Sequence, residues 1–134
     1  VTKILVVEDS FSMRSFVRSA LESGGAEFED LDIVEASGGF EALRLMPRGP
    51  YDLVITDINM PDINGLELIQ FIRSNEHHRT TPILLISTQS SERDRERGLT
   101  LGANGYLVKP FTPEDLRSRV KTALGKGPVK AEHG

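Results

Sequence analysis

Five short apolar runs punctuate the chain, and each ends in a polar or turn-forming break. They are residues 3–7 (KILVV), 33–36 (IVEA), 53–56 (LVIT), 82–86 (PILLI) and 105–108 (GYLV). Short runs rich in β-branched and aliphatic residues read as strands. Those without polar alternation read as strands buried on both faces. Between the runs the apolar positions switch to helical spacing. In residues 11–23 they are Met13, Phe16, Val17, Ala20 and Leu21, with Ser10 or Ser12 placed to cap the start and Gly24-Gly25 to end the helix. Residues 40–46 predict a shorter helix with Phe40, Leu43 and Met46 facing inward, stopped by Pro47 and Gly49-Pro50. Residues 65–74 carry Leu66, Leu68, Ile69 and Ile72 as the apolar set of a third helix.

A fourth helix, capped by Ser91 and running through Leu101, is densely charged and contains Gly98. Its apolar stripe is thin, which predicts weak packing and a large exposed surface. Thr112-Pro113-Glu114-Asp115 combines a cap hydroxyl, proline at the first helical position and acids in the first turn, a strong helix start. Leu116, Val120 and Leu124 form the inward face of this fifth helix, with Arg117, Arg119 and Lys121 outward or flanking. The acidic stretch 26–32 reads as an extended surface loop. Strand and helix thus alternate five times, the pattern of an α/β fold: a five-stranded parallel sheet with right-handed crossovers and helices on both faces.

At 134 residues the chain is one domain by length. Residues 1–125 carry the pattern, and residues 126–134 read as a polar tail or the start of a linker, too short for a DNA-binding helix-turn-helix. There is no cysteine, so thiol nucleophiles, zinc-thiolate sites and disulfides are excluded, which fits a cytoplasmic setting. A net charge of -4 argues against bulk binding to nucleic acid. No apolar run has membrane-spanning length.

The chemistry sits where the strands stop. The first run ends in Glu8-Asp9, the third in Asp57, the fourth in Ser87 and the fifth in Lys109. In a parallel sheet all these ends lie on one edge, the place where open α/β sheets hold ligands. Two adjacent acids after a central strand repel one another, and burial penalises both. Capping accounts for one of them but not easily for the pair. A hard divalent cation such as Mg²⁺ would neutralise them, since it takes oxygen ligands. The remaining lysine and hydroxyl then suit an anion beside the metal, such as a phosphoryl group. A carboxylate can attack phosphorus to give an acyl phosphate. Met60-Pro61 blocks an immediate helix after Asp57, and Gly65 is expected to supply a backbone conformation closed to most residues.

Four segments in this order, ILVVEDS, VITDINMPDINGLEL, ILLIS and GANGYLVKPFTPEDL, make residues 3–125 resemble the response-regulator receiver domains of two-component signalling, especially the single-domain chemotaxis type. The resemblance implies a flavodoxin-like, CheY-like (βα)5 sheet of strand order 2-1-3-4-5. It implies that Asp57 is the phosphoacceptor, and that Glu8 and Asp9 hold Mg²⁺ with Asp57 and the backbone carbonyl of Asn59. Ser87 would be the switch hydroxyl, Lys109 the phosphate partner before a cis proline, and Tyr106 the aromatic that moves when the hydroxyl shifts. Asn59 and Gln89 would tune the lifetime of the acyl phosphate. Such a domain catalyses its own phosphorylation and hydrolysis without being a conventional enzyme. The partners implied are a sensor histidine kinase or phosphotransfer protein, and an output protein on the face of helix 4, strand 5 and helix 5. Neither direct nucleic-acid binding nor membrane association is implied, and the chain would be a monomer or weak dimer. Chemotaxis or motility is one pathway it could serve. The segment 27–32 looks long for the family and should lie at the edge opposite the site.

Two other readings share the architecture. An aspartate-dependent phosphohydrolase often carries a second acid two residues after its nucleophile; here that position is Asn59, which cannot protonate a leaving group. A flavodoxin-like cofactor binder would meet repulsion between Glu8-Asp9 and a flavin phosphate.

Overall fold

The computed structural model describes residues 1–88 and 92–125. The expected cap Ser91, the flanking residue Gln89 and the tail 126–134 lie outside the described residues. Five strands form one parallel sheet in the order β2-β1-β3-β4-β5: β1 (Thr2–Val7), β2 (Leu31–Ala36), β3 (Leu53–Asp57), β4 (Ile83–Ser87) and β5 (Gly105–Val108). Five helices alternate with them: α1 (Phe11–Glu22), α2 (Gly39–Leu45), α3 (Gly65–Ser74), α4 (Glu92–Leu101) and α5 (Pro113–Ala123). This is the α/β architecture and strand order expected from the sequence.

Side chains alternate across a strand, so each central strand feeds two cores. Leu5 and Val7 of β1 join Val54 and Leu85 against Leu68, Ile69 and Ile72 of α3. Ile4 and Val6 join Ile55, Leu84 and Ile86 against Val17 and Leu21 of α1 and Leu116 and Val120 of α5. With both faces covered, neither set of positions can be polar, and the strands read as unbroken apolar runs. The register places Leu5 beside both Val34 and Val54, and Leu85 beside Tyr106.

The helix starts follow local chemistry. The Ser10 hydroxyl accepts from the Met13 N–H at 3.2 Å. Asn64 with Glu67, and Thr112 with Asp115, form reciprocal capping boxes, each closing backbone donors that would otherwise be left unpaired. The Gly49-Pro50 and Lys109-Pro110 bonds are both cis. Among the described residues, no helix is long and apolar enough to cross a membrane.

Three local expectations are corrected. Phe40 faces solvent, not the core: α2 begins one residue earlier than the apolar spacing implied, and Ala42 and Leu45 fill the interior together with the expected Met46. The stretch 26–32 is not an extended loop. A 3-10 turn, Gly25–Phe28, buries the Phe28 ring in the core with α1 and α5, and β2 already starts at Leu31. This turn does sit at the amino-terminal edge of the sheet, away from the strand ends that carry the acids. Gly65 is needed for space rather than for an unusual backbone conformation: its φ is not positive, but a Cβ there would lie 2.4 Å from the Asp57 carbonyl oxygen. The thin packing expected of α4 is present. Gly98 is its one buried residue among those described, and a Cβ on it would meet Leu85 at 2.2 Å.

Candidate functional site

The sheet order makes β1 and β3 neighbours, with β2 on one side and β4 and β5 on the other. The chain reverses its direction of progress at this point, and such switch points open a crevice at the carboxyl edge. Glu8 follows β1 directly and Asp57 ends β3. Glu8 is 1% exposed and Asp57 3%, whereas Asp9 is exposed at the rim. One carboxylate oxygen from each of Glu8, Asp9 and Asp57 lies within 4.8 Å of the others. From β5, the Lys109 ammonium donates to Asp57 Oδ2 at 2.9 Å and stands 3.5 Å from Glu8 Oε1.

Backbone groups aim these side chains. The Ser10 N–H donates to Glu8 Oε2 at 3.0 Å, and the Asn59 N–H donates to Asp57 Oδ1 at 3.2 Å. The Lys109 N–H donates to the Ser87 carbonyl at 2.7 Å, which ties the lysine to the end of β4. The loop after Asp57 is folded tightly back, with the Gly65 N–H donating to the Ile58 carbonyl at 2.8 Å. The missing Cβ of Gly65 allows that approach.

The electrostatics are unbalanced. Burial pushes the Glu8 carboxyl up, to about 7 from an ordinary 4.5; the Asp57 charge adds to this, while the Ser10 N–H and Lys109 oppose it. Burial acts to lower the Lys109 ammonium, but the hydrogen bond to Asp57 and the charges of Asp57 and Glu8 outweigh it and leave its pKa raised. Lys109 is therefore a fixed cation. At this edge of the sheet, two buried polar atoms have no hydrogen-bond partner among the described residues: Glu8 Oε1, which has only the Lys109 ammonium 3.5 Å away, and Ser87 Oγ. Orphaned buried groups of this kind are uncommon and point to a ligand that completes them.

Glu8, Asp9, Asp57 and Lys109 therefore converge, as the shared strand edge implied. Ser87 ends β4 beside them, one position past Ile86, which pairs with Asp57 in the sheet register. Asn59 contributes its backbone. Tyr106 is set apart, three residues before Lys109, half-buried against the core on the α3 side of the sheet. Two supporting residues escaped the sequence reading. Arg14 Nη1 donates to the Glu8 carbonyl at 2.7 Å, and its Nε to Glu35 Oε1 at 3.1 Å. Asp62 accepts from the Gly39 and Phe40 N–H groups at 3.1 and 2.9 Å, and so caps α2 from the loop after β3. Gly38, the residue preceding α2, has no side chain to do this. Asp62 was legible only as a turn former, because its partners lie more than twenty residues away.

Comparison with known proteins identifies the family and the fold. The family model for the response regulator receiver domain matches residues 4–121. The chain is 36% identical over 126 residues to a chemotaxis protein CheY homolog of Campylobacter jejuni, covering 93% of this chain and 94% of that one. It is 38% identical over 124 residues to chemotaxis protein CheY1 of Helicobacter pylori, covering 92% and 97%. Among solved structures, the chemotaxis response regulator CheY4 of Vibrio cholerae superposes with a TM-score of 0.82 at 34% identity, covering 92% of this chain and 98% of that one. With its fold, its strand-edge acids and its sequence all in agreement, the chain belongs to the response regulator receiver domains, the phosphorylation-activated switches of two-component signalling.

Proposed function

We propose that Asp57 is the phosphoacceptor and that the acidic cluster is the Mg²⁺ site that supports its phosphorylation. The observation that carries this reading is the Lys109 ammonium 2.9 Å from one oxygen of a buried aspartate, with two further carboxylates beside it. The residues fit a hard cation: the donors are all oxygens, and Glu8 Oε1 is buried without a hydrogen-bond partner. Glu8, Asp9 and Asp57, with the Asn59 carbonyl, would hold the ion. When bound, Mg²⁺ supplies positive charge against the oxygens of the group being transferred.

The donor is a phosphohistidine on a sensor kinase or phosphotransfer protein. A carboxylate oxygen of Asp57 attacks phosphorus, a P–O bond forms and the P–N bond breaks. The electron pair leaves with the imidazole nitrogen, and the product is an aspartyl phosphate. Lys109 is already placed to hold the added negative charge. Ser87 has a hydroxyl proton to give, and a phosphoryl oxygen is the acceptor it lacks in the resting state. Its movement frees space that Tyr106 fills, and the face of α4, β5 and α5 changes its affinity for an output protein. The phosphoryl group makes different contacts in the two states, which any two-state switch requires. The same proposal places the protein in the cytoplasm, with chemotaxis supported as a pathway by the CheY homologues.

Intact mass after incubation with acetyl phosphate tests the assignment. The wild type is expected to gain one phosphoryl group with Mg²⁺ and none with chelator. Asp57→Asn is expected to gain none under either condition. Labelling that survives in Asp57→Asn would overturn the assignment.

A further inference from the structure

Tyr106 is held by two arginines that do not touch the acidic cluster. The Arg95 guanidinium, from α4, lies 5.5 Å from the ring centroid, and that of Arg119, from α5, lies 5.6 Å away. Both are within the range of cation–π attraction. Arg95 has a second contact: its Nη1 donates to the Thr88 carbonyl at 2.9 Å. Thr88 is the residue immediately after Ser87. One side chain thus joins the end of β4, the first turn of α4 and the aromatic ring on β5. The helix it comes from is thinly packed, with Leu99 left 42% exposed. A cross-link of this kind therefore matters more here than it would on a deeply buried helix.

We infer that Arg95 is a positioning residue of the switch, holding Tyr106 and the end of β4 in their resting arrangement and so setting how readily the unphosphorylated chain converts. This inference rests on the phosphoryl-switch reading above. The bond to Thr88 and the contact with Tyr106 coexist in the arrangement in which Ser87 Oγ has no partner. Drawing Ser87 toward a phosphoryl oxygen carries the Thr88 carbonyl with it and strains the link to a ring that is itself required to move. Contacts that stabilise only the resting state weaken the binding of any ligand that selects the other. Arg119 meets the ring from α5 and restrains it without spanning to β4.

The test titrates beryllofluoride, a phosphoryl mimic, with Mg²⁺ into the full chain by calorimetry. Wild type, Arg95→Gln, Arg95→Lys and Arg119→Gln are compared. Arg95→Gln is expected to bind the mimic about three- to tenfold more tightly than wild type, the size of effect that loss of one partly exposed cation–π contact and one hydrogen bond allows. Arg95→Lys keeps the charge and a donor but lacks the flat guanidinium, so its affinity should fall between the two. Arg119→Gln should shift affinity less than Arg95→Gln.

The chain has two tyrosines, so ¹³C-tyrosine spectra follow the Tyr106 ring directly. In mimic-free Arg95→Gln, its signal should lie part of the way toward the mimic-bound position. An Arg95→Gln affinity within threefold of wild type, or weaker, would overturn the inference while leaving the switch intact. A wild type that fails to bind the mimic would overturn both.

Discussion

Two charge clusters flank β1, and they are built on opposite principles. On one side Glu35 of β2 accepts from two guanidiniums, Arg14 at 3.1 Å and Arg18 at 2.6 Å. On the other, three carboxylates cluster around one ammonium that pairs with only two of them, Glu8 and Asp57, and no other cation pairs with the three among the described residues. The hydrogen bond from Arg18, against an opposing effect of burial and with help from Arg14, holds Glu35 below the usual carboxylate range. Burial drives Glu8 the other way. The first cluster is closed: Arg18 also pairs with Glu22 at 3.1 Å, so two cations meet two acids, and the cluster fastens α1 to β2. The second is open and has an excess of acid, so it is completed only by something that arrives from solution. A charged cluster is a candidate site when its books do not balance, not when it is merely dense.

The largest effect expected from breaking this contrast is at Asp57. Asp57→Asn should lower the rate of phosphoryl labelling by about a thousandfold or more, because an amide is no nucleophile toward phosphorus. Single-turnover mass spectrometry measures it, and urea unfolding should show the fold retained.

Next comes Glu35→Gln. It leaves two guanidiniums facing an amide and should cost about 1–2 kcal/mol of stability, the lower part of the range for paired charges because this site is partly solvated. The midpoint of urea unfolding reports it, and labelling at Asp57 should be nearly unchanged.

Glu8→Gln should have the opposite sign in metal-free protein. It removes a buried carboxylate whose only cation, Lys109, is shared with Asp57, and should stabilise the fold at pH 8 by about 1 kcal/mol, while abolishing the rise in melting temperature expected when Mg²⁺ fills the proposed site of the wild type. The two clusters also respond oppositely to pH. The folded-state pKa of Glu8 lies above its ordinary value, so the folded chain holds that proton more tightly. Its contribution to stability is full below about pH 4.5 and is lost as pH rises through about 7. Glu35 is lowered in the fold, so its contribution is present above pH 4.5 and is lost as pH falls through its depressed value. Wild type and Glu8→Gln should diverge between pH 5 and 8, and wild type and Glu35→Gln should converge below pH 4.5. Parallel pH profiles for the two variants would defeat the comparison.

The smallest effect sharpens the same point. Asp62 is a third kind of acid, matched by backbone N–H groups of Phe40, Ile63 and Gly39 rather than by a cation, and its pKa is lowered by those bonds, Phe40 first. Asp62→Ala should cost about 0.5–1 kcal/mol, the loss of a helix cap, with Asp62→Asn recovering most of it.

These cases also show what the sequence could disclose. Elements announced themselves through local pattern: apolar runs for strands, period-3.6 faces and caps for helices. The converging acids were legible because parallel strands force their ends to one edge, so topology alone brought Glu8, Asp57 and Lys109 together. Features decided by a distant partner were not legible. Phe40 seemed an inward position until α2 started at Gly39. Phe28 seemed part of a loop until a 3-10 turn laid it against Gly24 and α5. Gly65 looked like a torsional necessity and is instead a spatial one, set by the carbonyl of Asp57. Arg95 looked like one charge in a solvated helix, and only the fold shows which ring and which carbonyl it reaches.

The unpartnered hydroxyl of Ser87 has a consequence for the chain as a substrate of selection. A buried hydroxyl without an acceptor costs roughly 1–3 kcal/mol relative to one that is bonded. Thermal robustness alone would favour alanine at that position, which keeps the packing and drops the lone donor. A repertoire of random substitutions screened only for heat tolerance should therefore enrich Ser87→Ala and, with it, proteins that fold better and respond less. If Ser87 is the proposed switch hydroxyl, robustness and responsiveness are opposed at a single oxygen atom.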